Sequence, residues 1–171
     1  LILRSLTFIY LNYLKLIIIF LSFSTKVFSQ TNIPAVYVKT TDGKSINTIT
    51  TLNNDGLTVY SFWATWCIPC INELDAIHNK FDVWKDYNVK IIAVSTDDAR
   101  TKRRVRPLIN GKNWKFDILL DENQNFKRSL NISGIPHVIV TKGREIIYRR
   151  VGYKPGDEDN LLEIILKNSK I

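Results

Sequence analysis

The chain contains two cysteines, Cys67 and Cys70, and they stand two residues apart where a strand-like segment meets a helix-like one. Residues 57–63 are an apolar run of strand length, and from Pro69 apolar residues recur every three or four positions. A strand that leads directly into a helix at this pair places Cys67 at the helix N-terminus, where free N–H groups and the macrodipole favour the thiolate. Since the thiolate is the attacking species in disulfide exchange, the pattern predicts Cys67 as nucleophile and the less exposed Cys70 as resolving residue.

A close cysteine pair also has two structural uses, a zinc site and a permanent cross-link. A structural zinc site usually takes four cysteine or histidine ligands, and beyond the cysteines this chain offers only His78 and His137. A disulfide stabilises a fold mainly by closing a long loop, and the loop between these cysteines is very short. The pattern therefore favours redox chemistry over both structural uses, and no metal or other cofactor is expected.

The first 29 residues have the composition of a targeting segment. They contain no acidic residue, and residues 16–21 form an unbroken apolar run. The end of the segment is compatible with cleavage before Gln30, which predicts a secretory signal peptide. An uncleaved N-terminal membrane anchor is the alternative, because residues 6–23 approach spanning length. Both interpretations export the domain, so we predict a leader over 1–29, a domain over 30–171 and an extracytoplasmic location.

The chain is basic, with 24 Lys and Arg residues against 16 Asp and Glu residues and a formal net charge of +8. Four basic residues lie in the short run 102–106, which either forms the solvated face of a helix or docks an acidic partner or the membrane surface. Aromatic residues do not alternate with the basic ones, and no nucleic-acid-binding module is visible. Nucleic acid is therefore not an expected partner.

The pattern after residue 30 predicts one α/β domain. Strands are predicted over 35–39, 45–49, 57–63, 89–95, 116–120, 137–141 and 145–151. Helices are predicted from Pro69 to about Tyr87, from caps at Asp97 and Asp98 to about Leu108 with Asn110-Gly111 closing it, over 122–130, and from Asp157 onwards. Strands joined by helices and followed by an antiparallel hairpin predict a three-layer α/β sandwich with a central mixed sheet.

Residues 62–70, Phe-Trp-Ala-Thr-Trp-Cys-Ile-Pro-Cys, resemble the active-site segment of the thioredoxin superfamily, in the form found in TlpA/ResA-like proteins. Asp42-Gly43-Lys44 resembles the N-terminal β-hairpin extension of that group, and Gly134-Ile135-Pro136 resembles the loop whose proline is cis in these proteins. The resemblance extends over nearly all of residues 33–169. It implies a thioredoxin-like fold and a thiol:disulfide oxidoreductase.

The resemblance also implies that Pro136 faces Cys67 and Cys70 across the active site. A cis X-Pro bond is uncommon, and a proline has no N–H group to donate. The backbone groups of the neighbouring Ile135 are then left to pair with an extended substrate segment. Without the resemblance, a trans proline that opens a strand is the ordinary interpretation.

Glu73 corresponds to a glutamate that is functionally important in ResA-like proteins, and it follows Cys70 by three residues. If it is partly buried, desolvation raises its pKa and lets it move protons to or from Cys70. An exposed glutamate that complements the helix dipole is the alternative. Thioredoxin carries a buried aspartate in the preceding strand, where this chain has Ser61, so Glu73 is the only obvious acid near the dithiol.

Three aromatic residues near the motif receive separate interpretations. Trp66 is expected to flank Cys67 as a contact surface for partner proteins, whereas Trp63 is expected in the core. His137 follows Pro136, where it either favours the thiolate as a cation or is simply part of the strand.

The candidate catalytic residues are thus Cys67, Cys70 and Glu73, and the candidate substrate-binding residues are Trp66, Ile135 and Pro136. The predicted function is reduction of disulfides in extracytoplasmic proteins, possible substrates including apocytochromes and misoxidised cysteines, with electrons from a membrane donor. An oxidase or isomerase that uses the same dithiol is the main alternative. A copper-binding chaperone is a weaker one, because the chain has no methionine and two histidines, and a peroxiredoxin-type peroxidase is weaker still.

Overall fold

A computed structural model describes residues 12, 13, 15 and 31–169 of the chain. A seven-stranded sheet has the strand order β2-β1-β5-β4-β3-β6-β7. The strands are β1 (Tyr37–Thr40), β2 (Ser45–Asn47), β3 (Leu57–Trp63), β4 (Val89–Ser95), β5 (Asp117–Leu120), β6 (His137–Lys142) and β7 (Glu145–Val151). The α-helices are α1 (Ile68–Asn79), α2 (Phe81–Lys85), α3 (Val105–Lys112), α4 (Asn125–Ser129) and α5 (Asp157–Ser169), and short 3-10 helices lie at Thr48–Thr51 and Lys102–Arg104.

The sheet is mixed, as the sequence predicts. Strands β3, β4 and β5 are parallel, whereas β6 is antiparallel to β3 and β7 is antiparallel to β6. On the other side, the β1–β2 hairpin joins the sheet through antiparallel pairing of β1 with β5. The predicted three-layer sandwich with an N-terminal hairpin extension is confirmed.

Strand β3 is buried along its whole length because it lies inside the sheet and both of its faces are covered. Val59 and Trp63 pack on one face with residues of α1 and α5, so the core position expected for Trp63 is confirmed. Tyr60 and Phe62 pack on the other face around Phe126 of α4. The strand that leads to the cysteines is therefore held from both sides.

The single helix predicted from Pro69 to about Tyr87 is in fact two helices. Lys80 has φ −107° and ψ 9°, which ends α1, and α2 begins at Phe81. The apolar stripe continues across the break, because Ile77 of α1 and Trp84 of α2 are buried in the same cluster. Because the buried face continues across the break, the spacing of the apolar residues does not show where the first helix ends.

The end predicted for the basic helix is also wrong. Asn110 and Gly111 lie inside α3, and the helix ends at Asn113, whose φ of 52° is in the left-handed region. Asparagine tolerates this conformation because its short polar side chain can bond locally. The N–H group of Asn113 donates to the carbonyl oxygen of Ile109 at 2.9 Å.

The predicted leader over 1–29 falls almost wholly outside the described residues and stays a prediction. Within the described part of the chain, no helix has the length and apolar character that a membrane span requires.

Candidate active site

The cysteines lie at the edge of the sheet where β3 ends. After Trp63 a turn is closed by the N–H group of Cys67, which donates to the carbonyl oxygen of Ala64 at 3.0 Å. Cys67 has extended backbone angles and occupies the N-cap position of α1, with Pro69 in the first turn. The sequence prediction that Cys67 lies at the helix N-terminus is confirmed.

Cys67 and Cys70 form a disulfide with a Cα–Cα distance of 5.3 Å. Cys67 is 5% exposed and Cys70 is 0% exposed, so the expected order of accessibility is confirmed. Both cysteines belong to the same buried cluster, but of the two only Cys67, at the N-cap, keeps any exposed surface, so a partner meets it first. This asymmetry suits a nucleophile and a resolving cysteine.

Asp97 holds the loop that precedes the cysteines. Its carboxylate accepts the N–H group of Thr65 at 2.9 Å, the hydroxyl group of Thr65 at 2.6 Å and the hydroxyl group of Ser95 at 2.9 Å. We expected Asp97 to cap the following helix, and this expectation is wrong because the side chain turns inward. Its neighbour Asp98 instead accepts the N–H groups of Arg100 and Thr101.

The Ile135–Pro136 peptide bond is cis, as the resemblance implies. Since His137 pairs with Phe62, the end of the loop before β6 lies at the same edge of the sheet as the turn after β3. Pro136 is buried, and half-buried Ile135 packs against the cluster that contains both cysteines. Among the described residues, neither the N–H group nor the carbonyl oxygen of Ile135 has a hydrogen-bond partner. Both groups are thus available to an extended chain.

Large apolar side chains are exposed at this edge. Trp66 is 59% exposed and Ile68 is 64% exposed, on either side of Cys67. Val151 is 65% exposed and pairs with His137, so it belongs to the same edge. Exposed apolar side chains grouped around a reactive sulfur are typical of a protein-binding surface. The sequence predicts a surface role for Trp66, whereas no pattern in it indicates Val151.

Glu73 is fully buried below the dithiol. It lies one turn after Cys70 on α1, and residues three apart share a helix face. The hydroxyl group of Ser61 donates to the Oε2 atom of Glu73 at 3.0 Å. The strand position that carries a buried aspartate in thioredoxin therefore carries a hydrogen-bond donor to Glu73 in this chain. Burial raises the pKa of Glu73 to about 7, although Arg150 and Ser61 oppose that rise. The alternative of an exposed glutamate is wrong.

Arg150 is the partner of Glu73, and the sequence analysis did not identify it. Its guanidinium group, on β7, forms ion pairs with the carboxylates of Glu73 and Asp157. A signal for it existed. Successive residues of a strand face opposite sides, so the adjacent Arg149 and Arg150 place one arginine on each face of β7, where both are partly buried. An arginine on a covered face needs a carboxylate nearby.

His137 is buried in β6, and neither ring nitrogen has a hydrogen-bond partner among the described residues. Burial, together with the positive charge of Arg149, lowers the pKa of His137 to about 4. The interpretation of His137 as a cation that favours the thiolate is therefore wrong at neutral pH, and the side chain is a strand residue.

Within the described residues, no group of three or more His, Cys, Asp or Glu side chains is arranged to hold a metal ion. The buried carboxylates near the dithiol are occupied instead by hydrogen-bond donors and by arginine.

This chain is similar to curated proteins and to solved structures. Thiol-disulfide oxidoreductase ResA of Bacillus thuringiensis is 26% identical over 120 residues, which cover 70% of this chain and 67% of that protein. Sporulation thiol-disulfide oxidoreductase A of Bacillus subtilis is 29% identical over 136 residues, 78% of this chain and 80% of that protein. The solution structure of an uncharacterized thioredoxin-like protein from Porphyromonas gingivalis matches with a TM-score of 0.70 and 38% identity, over 79% of this chain and 90% of that one.

The sequence profile of the AhpC/TSA family matches residues 30–150, which is most of the chain. The relatives above are named as thiol-disulfide oxidoreductases, and the site contains the close cysteine pair that such chemistry requires. The chain belongs to the AhpC/TSA family and is a thioredoxin-like thiol-disulfide oxidoreductase of ResA type.

Proposed function

We propose that the protein reduces disulfides in extracytoplasmic proteins through Cys67 and Cys70. The observation that carries the proposal is the unequal burial of the two cysteines at the N-terminus of α1, beside the exposed apolar side chains of Trp66 and Ile68. A small-molecule thiol needs no such surface, whereas an unfolded or extended polypeptide does. Ile135 and Pro136 lie at the same edge and position the partner chain, with the backbone of Ile135 as the hydrogen-bonding site.

The reaction begins from the reduced dithiol. The Cys67 thiolate attacks one sulfur of the partner disulfide, whose S–S bond breaks, and the second partner sulfur leaves with the electron pair and takes a proton from water. The Cys70 thiol then gives its proton to Glu73 and attacks the Cys67 sulfur. The bond between Cys67 and the partner breaks, and the partner sulfur leaves with the electron pair and takes up the proton that Glu73 releases. The partner leaves with two reduced cysteines, and the enzyme retains the Cys67–Cys70 disulfide, having passed on two electrons.

The reduced enzyme must be regenerated after each turnover. An extracytoplasmic compartment is oxidising, so the electrons come from a donor in the membrane, and a leader over 1–29 accounts for export or anchoring. Apocytochromes that await haem attachment are one class of substrate that requires reduced cysteines, which suggests a role in cytochrome c maturation. Oxidation or isomerisation by the same dithiol remains the alternative direction.

The direction of electron flow is tested by the reduction potential of the pair. The protein is equilibrated with mixtures of reduced and oxidised glutathione, and free thiols are counted by alkylation. A potential near about −270 mV or below supports the reductase, whereas one near about −120 mV contradicts it and supports an oxidase. Hydrogen peroxide is tested as an oxidant in parallel, since rapid turnover of peroxide would favour a peroxidase instead.

The cysteine roles are tested by trapping. We expect the Cys70→Ala variant to accumulate mixed disulfides between Cys67 and partner proteins, because the resolving thiol is absent. The Cys67→Ala variant is the matched control and should trap far less, since Cys70 is enclosed by the core. Equal trapping by both variants, or none by either, would contradict the assignment. The measurement is non-reducing electrophoresis after acid quenching.

A further inference from the structure

We propose that Arg150 is a positioning residue for Glu73, and that Arg150, because it is shared with Asp157, governs the charge that Glu73 carries beside the dithiol. The role of that charge in exchange rests on the function proposed above. The assignment of Arg150 itself rests on contacts between three side chains from three elements of the fold.

Arg150 lies on β7, two strands away from β3, and the register of the sheet places it beside Glu73. Ser61 of β3 is paired with Val138 of β6, and Val138 is paired with Arg150 of β7. The three residues therefore form one row across the sheet, and their side chains point to the same face. Val138 is buried in the cluster that contains Cys70 and Leu74 of α1, so this face is the one that α1 covers. Glu73 thus receives a hydroxyl group from one end of the row and a guanidinium group from the other.

The guanidinium group is divided between two acids. One terminal nitrogen of Arg150 contacts Oε1 of Glu73, and the other contacts Oδ2 of Asp157. The three side chains are between 0% and 13% exposed, so solvent screens their charges only weakly. Asp157 is itself fixed, because Oδ2 accepts the N–H group of Lys154 at 2.9 Å where α5 begins. Arg150 is therefore held in place by two contacts, and each acid competes with the other for its charge.

The charged and titratable groups around Glu73 act in opposite directions. Arg150 from β7 lowers the pKa of Glu73, and Asp157 at the start of α5 raises it. Tyr153, from the connection between β7 and α5, is neutral at physiological pH, since the ordinary pKa of a tyrosine is 10.0 and burial raises it further, to about 12. On the helix of Glu73 itself, Cys70 lies one turn away and is uncharged in the disulfide. Burial raises the pKa of Glu73 to about 7, and the balance between Arg150 and Asp157 sets how readily Glu73 accepts a proton around that pH.

The first experiment reads the protonation of Glu73 directly in the oxidised protein, by ¹³C NMR of the side-chain carboxyl carbon as a function of pH. Replacing Arg150→Met should raise the midpoint by about 1–3 pH units, because an adjacent opposite charge is lost. Replacing Asp157→Asn should lower the midpoint, because a nearby negative charge is removed and Arg150 is left to Glu73 alone. Arg150→Lys keeps the positive charge, so its titration midpoint should remain within about one pH unit of that of the wild type.

Opposite shifts in Arg150→Met and Asp157→Asn distinguish positioning from general damage to the fold. Both variants lose the same ion pair, so a merely structural role predicts shifts of the same sign or no shift. Either of those results would overturn the proposal. If Arg150→Met does not fold, the comparison of Asp157→Asn with Arg150→Lys still gives the direction in which the midpoint of Glu73 shifts when Arg150 is no longer shared.

The second experiment links the charge to exchange, using the rate at which the reduced enzyme reduces a disulfide-bonded peptide. The midpoint of the acid limb of the pH–rate profile should move to higher pH in Arg150→Met and to lower pH in Asp157→Asn. Each change should equal the shift seen in the NMR titration. In a Glu73→Gln background neither substitution should move the limb. Limbs that move in that background would overturn the proposal. NMR shifts without any peptide reduction would contradict the proposed function and leave the assignment of Arg150 standing.

Discussion

Glu73 and His137 lie on neighbouring elements at one edge of the sheet, and burial moves their pKa values in opposite directions. Desolvation disfavours the charged form of each, so the pKa of the carboxyl group rises to about 7 and that of the imidazole falls to about 4. Glu73 has ion-pair and hydrogen-bond partners, which suit a group that gains and loses a proton. His137 has none among the described residues and is held in its neutral form.

His137 should make the protein sensitive to acid. Its pKa is about 4 in the folded state and 6.5 in its ordinary state, so the unfolded chain binds the proton more tightly. The stability that depends on neutral His137 is present above pH 6.5 and is lost as the pH falls towards 4. Relative to about pH 7.5, the free energy of unfolding at about pH 5 should fall by about 2 kcal/mol through this group.

The His137→Phe variant removes that titration and keeps a ring of similar shape. We expect it to lose about 2 kcal/mol less than the wild type between about pH 7.5 and about pH 5. Urea unfolding at the two pH values measures the difference. A wild-type protein and a variant that respond equally to acid would show that His137 is not neutral in the fold.

At the scale of elements, the sequence predicted what depends on hydrophobic pattern and failed where a side chain is used by a distant partner. The bounds of β3, β4 and β7 are confirmed, because runs of β-branched and aromatic residues are typical of strands. Asp97 was assigned to a helix cap because capping is a local use of an aspartate. Its actual partner, Thr65, lies 32 residues away in the chain. Cys67, Cys70 and Glu73 were visible in one short motif, whereas Arg150 reaches the site only through the strand register.

Gly56, in the turn before β3, is fixed by a close backbone contact. A Cβ atom on this residue would lie 2.1 Å from the carbonyl oxygen of Asn88, the residue before β4. That carbonyl also accepts the side-chain amide of Asn53 at 2.7 Å, so it cannot move without losing a hydrogen bond. We expect Gly56→Ala to destabilise the protein by about 1–3 kcal/mol.

Gly111→Ala is the matched control for this substitution. Gly111 lies inside α3, and a Cβ atom on this residue would meet no neighbouring group within 4 Å, so alanine should stabilise the helix by about 0.5–1 kcal/mol. Thermal unfolding of both variants gives the comparison. A Gly56→Ala protein as stable as Gly111→Ala would show that the turn is free to move apart from β4.

At the scale of the whole molecule, a run of basic residues lies at the same edge of the sheet as the disulfide. The basic run after β4 follows Asp97, which is bonded to the loop before Cys67. Arg100 is paired with Asp98 and Lys102 with Glu122. Arg103 and Arg104 are exposed. The predicted exposure of these basic residues is therefore confirmed, but Lys102–Arg104 form a 3-10 turn instead of the predicted face of an α-helix.

This charge should favour anionic substrates at low ionic strength. We expect the rate of reaction with oxidised glutathione to fall several-fold between about 20 and 300 mM salt, and that with the cationic disulfide cystamine to rise. Arg103→Glu/Arg104→Glu should reverse the preference. Lys85→Glu/Lys142→Glu changes the net charge equally at the opposite end of the sheet and should have a much smaller effect. Equal effects of both double substitutions would show that net charge alone, not its placement, matters.

The β1–β2 hairpin has a consequence for how copies of this protein behave towards one another. Without it, β5 would be an outer strand with a row of unsatisfied main-chain groups, a template onto which another polypeptide could add. With it, the outermost strand on that side is β2, only three residues long, before Asn47 turns the chain into a 3-10 helix. So short a border offers few places for a neighbouring chain to attach. On this side of the sheet the hairpin therefore replaces a strand edge open to pairing with a short one, which should disfavour edge-to-edge association between copies.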